Sequence, residues 1–142
     1  MKLELYTEPA LTETEIGNQR LLNVARALRE SIKPKDFTME CYINECGTPA
    51  CALGHYAFRS DLQTEFKLVI ITDESSQYYD IEHKNDEGYS LNFDDPEVLE
   101  HFAITDGDSW NLFSADGCGY ANTALEAALY IENFVKERRK QI

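Results

Sequence analysis

No run in the chain approaches the roughly 20 consecutive apolar residues that cross a bilayer, so no transmembrane helix is expected. The opening stretch MKLELYTEPALTETE holds acids and no apolar block, so a secretory leader is not expected either. The motifs G-x-x-x-x-G-K-S/T, G-x-G-x-x-G, H-E-x-x-H and G-x-S-x-G are missing. Their absence sets aside a phosphate loop, a dinucleotide fingerprint, a zinc-protease helix and a hydrolase elbow. Asp106-Gly107-Asp108 is not followed by a calcium loop closed by a glutamate. These absences favour a cytoplasmic protein with its four cysteines reduced, and no cofactor is expected.

Basic residues are scarce. The 142 residues carry 13 Lys and Arg against 26 Asp and Glu, a net charge of -13. The imbalance is concentrated in residues 73–116, where Lys84 is the only base among thirteen acids. Such a surface repels nucleic acid and anionic membranes, and it attracts a basic partner. The plainer reading is a solvated face that keeps the chain soluble.

What is present is enough for one domain, taken as residues 1–142, with 43% hydrophobic residues. Thr12 with Glu15 forms a capping-box pattern, and Ile16, Leu21, Leu22, Val24, Ala25 and Leu28 then recur at helical spacing. Lys33-Pro34 ends that helix. A second helix is expected to start at Thr48 with Pro49 in its first position. Residues 66–72 and 78–83 read as strands, and 89–93 as a third. Asp94-Asp95-Pro96-Glu97 and Thr105-Asp106-Gly107-Asp108 open two short helices. Thr123 with Glu126 opens the last helix, with Leu125, Ala128, Leu129, Ile131, Phe134 and Val135 assigned to its apolar side. The expected class is α+β, a mainly helical single domain with a small antiparallel sheet.

The stretch ECGTPACALGHYAF, residues 45–58, supports three chemistries. The first is packing, since cysteine behaves as a small buried hydrophobe. The second is nucleophilic: Cys51 falls in the first turn of a helix, where free N–H groups lower a thiol pKa. It needs a base, and His83 in the second strand, oriented by Asp80 or Asp86, is preferred to His55 or His101. The third is a metal site of Cys46, Cys51 and His55, completed by Cys41 or Cys118, at C-x4-C-x4-C-x3-H spacing without the close knuckle of common zinc sites. A reversible Cys46–Cys51 disulfide is disfavoured in a reducing compartment.

The elements RLLNVARALR, FTMECY, CGTPACALGH, EHFAI with SWNLF, and ALEAALYIENFV together resemble a family of small proteins encoded by phages, prophages and some bacteria. The resemblance covers most of the chain outside residues 60–93, and CGT-x-AC-x-x-G is its most specific motif. That family carries no assigned activity, so the resemblance implies a phage or mobile-element setting rather than a reaction. Family members often have Trp where this chain has His55, and a Phe-Phe-Gly pattern where it reads His101-Phe102-Ala103. Both departures count against catalytic or metal roles for His55 and His101.

The charge block and the implied setting favour a small acidic binding protein over an enzyme. The expected partner is a basic surface on a host nucleic-acid-binding complex of defence or replication, with no direct nucleic-acid or membrane contact. The candidate binding residues are Asp94, Asp95, Glu97, Glu100, Asp106 and Asp108. Tyr78, Tyr79 and Tyr89 beside acids also suit a protein contact, or a sheet edge.

Overall fold

A computed structural model of the chain describes residues 12–31, 52–59, 61–62, 65–72, 77–83, 92–114, 118, 121 and 123–140. Among the residues whose side chains are described, 73% lie in helices and 3% in strands. The class is therefore mainly helical, and the expectation of an α+β domain with a small antiparallel sheet is corrected. The physical reason lies in what a sheet must do to define a class: form a layer that buries one face. The strand pair here is a two-stranded ladder, below the three strands needed for an independent layer. The segment expected as a third strand, residues 89–93, lies outside the described residues except for Asn92 and Phe93, and Phe93 is in a turn.

Helix α1, Glu13–Arg29, starts where the Thr12 hydroxyl accepts the Glu15 N–H at 3.1 Å. The carboxylate of Glu15 does not close the expected capping box. It turns instead to Asn18 and to Arg139. Helix α2, Ala52–Phe58, follows; its expected start at Thr48 and Pro49 lies outside the described residues. Strands β1, Phe66–Thr72, and β2, Gln77–His83, pair antiparallel with Phe66 opposite His83 and Thr72 opposite Gln77. Helix α3, Pro96–Phe102, has Asp95 as N-cap and proline at its start, where the missing N–H costs nothing. Helix α4, Asp106–Phe113, carries a complete capping box between Thr105 and Asp108. Helix α5, Ala124–Arg139, is capped by the Thr123 hydroxyl.

The longest helices, α1 and α5, pack most extensively on each other. Leu21, Val24, Ala25 and Leu28 of α1 share one core with Ala124, Ala127, Ala128, Ile131 and Val135 of α5. The three alanines let the backbones approach, and this sets the face of α5 that is buried. Leu125 and Leu129, assigned to the apolar side from spacing, are each 50% exposed. Salt bridges flank this seam, Arg29 to both Glu132 oxygens at 2.6 Å and Arg139 to Glu15. Phe102, fully buried, sits in an aromatic cluster with Tyr56, Phe66, His101 and Phe113. No helix among the described residues is long and apolar enough to cross a membrane.

Candidate functional site

Helix α3 turns Val98, His101 and Phe102 inward, because residues three and four apart share a helical face. His101 is consequently 4% exposed and stacked among aromatic rings, with ring centres 4.4 Å from Phe66 and 4.8 Å from Phe102. A buried imidazole needs partners for both nitrogens. Its Nδ1 lies 3.0 Å from Glu65 Oε2, and its Nε2 lies 2.7 Å from the Tyr56 hydroxyl. An ionised carboxylate only accepts, so Nδ1 carries the proton and, in the neutral ring, Nε2 accepts from the phenol. Arg20 of α1 braces the arrangement, donating Nη1 to the His101 carbonyl at 2.9 Å and Nη2 to Glu65 Oε1 at 3.4 Å.

These groups open on a cleft of about 240 Å³, completed by Asn23, Asp61 and Leu62. Asn23 Nδ2 donates to the Leu62 carbonyl at 3.2 Å, and Arg59 clamps Asp61 with two bonds of 2.8 Å. The order carboxylate, imidazole, hydroxyl is the one that orients a base in hydrolases. Here it ends on a phenol, and burial pushes the Tyr56 hydroxyl well above its usual range; the Arg20 charge opposes that shift and the Glu65 charge adds to it. Tyr56 therefore remains a hydroxyl donor. The arrangement can hold a proton and orient it along Glu65, His101 and Tyr56, but it does not generate a phenolate nucleophile.

Sequence reasoning named His101 only as one of three histidines and did not link it to Glu65 or Tyr56. The available signal was its place on the apolar stripe of its helix, which predicts an inward ring. Nothing in spacing connects residues 56, 65 and 101, because they are brought together by packing between separate elements.

The other expected residues are distributed as follows. Cys41, Cys46, Cys51 and Asp86 lie outside the described residues. His83 ends β2 opposite Phe66, and Asp80 pairs with Val69 in the same ladder. His55 is buried on α2 with its Nε2 3.1 Å from the Ser31 hydroxyl. Cys118 is buried with a backbone φ of 54°, and its thiol donates to the Leu112 carbonyl at 3.2 Å, closing the chain beyond α4. Among the described residues, no group of three or more His, Cys, Asp and Glu is placed to hold a metal ion.

The six acids fall on α3 and α4 and the turns that precede them. Two serve the backbone: Asp95 accepts the Asn92 N–H at 2.9 Å, and Asp108 completes the α4 capping box. Glu100 and Asp106 are exposed, while Asp94 and Glu97 are half-buried. Among the described residues none of the six forms an ion pair. The bases Arg20, Arg26, Arg29, Arg59, Arg139 and Lys140 are all engaged with Glu15, Glu30, Asp61, Glu65, Glu132 and Glu137. Among the described residues, Asp94, Glu97, Glu100 and Asp106 are thus left without an ion pair, while Arg138 lies close enough to Asp108 to interact with its charge. No family model matches the chain, no curated protein matches it and no solved structure matches it.

Proposed function

We propose that the protein is an acidic binding module that docks on the basic surface of a nucleic-acid-binding protein and modulates it. One observation carries this reading: among the described residues Arg20, Arg26, Arg29, Arg59, Arg139 and Lys140 are paired with other acids, while Asp94, Glu97, Glu100 and Asp106 form no ion pair. Unpaired charges of one sign steer a partner of the opposite sign and speed its encounter. The resemblance to phage and prophage proteins supports a partner in a bacterial host, in its defence or replication machinery.

The test leaves Asp95 and Asp108 intact, because both bond backbone N–H groups. Wild-type protein and the triple variant Asp94→Lys, Glu97→Lys, Glu100→Lys are immobilised and exposed to nuclease-treated bacterial lysate. A basic protein should be retained by the wild type alone and released at about 1 M salt, where the Debye length is about 3 Å. Equal retention of the same proteins by both forms would overturn the reading.

A further inference from the structure

A second depression, also lined by Arg20, lies between α1 and α3. It is an open depression of about 610 Å³. Its floor is apolar, made by Ile16, Leu99, Ala103 and Ile104. Ile16, Leu99 and Ala103 are each half-exposed, so apolar surface faces the opening. Glu13 and Glu100 stand exposed at its rim, and neither forms an ion pair among the described residues. Arg20 is the base that lines it, and its guanidinium is already bound to Glu65 and to the His101 carbonyl. The depression therefore presents an apolar floor under a net negative rim.

Its shape follows from the backbone. Gly17 allows α1 to rest directly on the end of α3, where any side chain would meet the Phe102 carbonyl. Ala103 then turns left-handed at φ 52°, and the Ile104 N–H returns to the Leu99 carbonyl at 3.0 Å. That six-to-one bond is the signature of a Schellman turn, which brings the apolar side chains at its two ends together. Leu99 and Ile104 are thereby held at the base of the groove by main-chain geometry.

We infer that this α1–α3 groove is the seat for a partner-protein segment in which apolar side chains are flanked by Lys or Arg. The inference rests on the acidic-module reading and names the surface and the partner chemistry it uses. The apolar floor supplies contact area, and the glutamate rim selects for cations and against acidic segments. Mixed recognition of this kind separates a basic amphipathic segment from one that is merely basic.

The test is a titration followed by amide chemical shifts in isotope-labelled protein. One synthetic peptide carries leucines at helical spacing among lysines; a second of equal charge has serine in place of each leucine. The leucine peptide should shift the amides of Ile16, Arg20, Leu99, Glu100, Ala103 and Ile104, and bind at least roughly tenfold more tightly than the serine peptide. Ile16→Ala should weaken the leucine peptide by roughly tenfold while leaving the amide spectrum of the folded protein otherwise intact. Equal binding of both peptides, with shifts confined to residues 94–97 and 106–108, would overturn the groove and leave the acidic module standing. Binding of neither peptide would overturn both. Concentration-dependent shifts of the groove amides without peptide would assign the groove to a second copy of this chain and overturn the inference.

Discussion

Gly17 of α1 lies directly against the main-chain carbonyl of Phe102 at the end of α3, with no room for a side chain between them. The junction is tied from the third side by Arg138 of α5. Its guanidinium donates to the carbonyls of Phe102 and Ala103 and to Asn18 Oδ1 at 3.0, 2.5 and 2.7 Å. A cation at the C-terminal carbonyls of a helix is favoured by the helix dipole. Asn18 passes the network to Glu15, and Glu15 to Arg139. Three helices that are distant in sequence are thus locked around one glycine.

Alanine at position 17 is predicted to destabilise the fold. A Cβ there would press on the Phe102 carbonyl and on the Ala103 side chain, and backbone cannot swing aside as a flexible side chain does. Overpacking of this kind costs about 1–3 kcal/mol, more than the roughly 1 kcal/mol that alanine gains over glycine in a helix. Gly107, in the first turn of α4, is the control. A Cβ there meets only the Thr105 hydroxyl, at 3.9 Å, so Gly107→Ala should be neutral or stabilise by up to about 1 kcal/mol. Denaturant titration of both variants checks the contrast. A Gly17→Ala protein as stable as the wild type would refute the close crossing.

Tyr56→Phe removes the hydroxyl from the His101 Nε2 and keeps the ring that packs on Phe66 and Phe102. The expected cost is about 1–2 kcal/mol, the penalty for losing a buried hydrogen bond. The His101 tautomer should not change, since Glu65 sets it from the other nitrogen. Imidazole nitrogen shifts in labelled protein read this directly. A proton on Nε2 in the wild type at neutral ring charge would contradict the assigned relay. Glu65→Gln should disturb the tautomer balance where Tyr56→Phe does not.

The parts of this structure that local chemistry determines were legible in the sequence. Thr12, Thr105 and Thr123 cap helices because a hydroxyl can reach free N–H groups only one turn away. Long-range choices were not legible. Leu125 and Leu129 satisfy a helical apolar pattern, yet the alanine face of α5 is buried because it lets α1 come close, and hydrophobicity ranks leucine above alanine. The strands at 66–72 and 77–83 follow from composition, but their number is too small to make a layer, and that depends on what else pairs with them. The Tyr56, Glu65 and His101 relay joins three elements with no shared period. Each member has an ordinary local reading, and only packing reveals the set.

Acid should loosen the fold through its exposed arginine–carboxylate pairs. Arg59 holds the Asp61 carboxyl down at about 2 and, with Arg26, holds Glu30 below the usual range; Arg139, then Asn18, does the same for Glu15. A carboxylate whose folded value is depressed contributes stability that is fully present above the unfolded value, about 4. That contribution is lost as pH falls through the folded value, so the window runs from about pH 5 to about pH 2. Protonation also relieves repulsion among 26 acids, which acts in the opposite direction. The informative quantity is therefore the difference between proteins rather than the wild-type curve alone. Arg59→Gln frees Asp61 and one bond to Glu30, so its midpoint temperature should lie below the wild type's at pH 7 and converge with it towards pH 2. High salt should narrow the gap at pH 7, because these groups are solvent-exposed and screened. A gap that stays constant from pH 7 to pH 2 would show that Arg59 acts by packing its aliphatic stem and not through the two carboxylates.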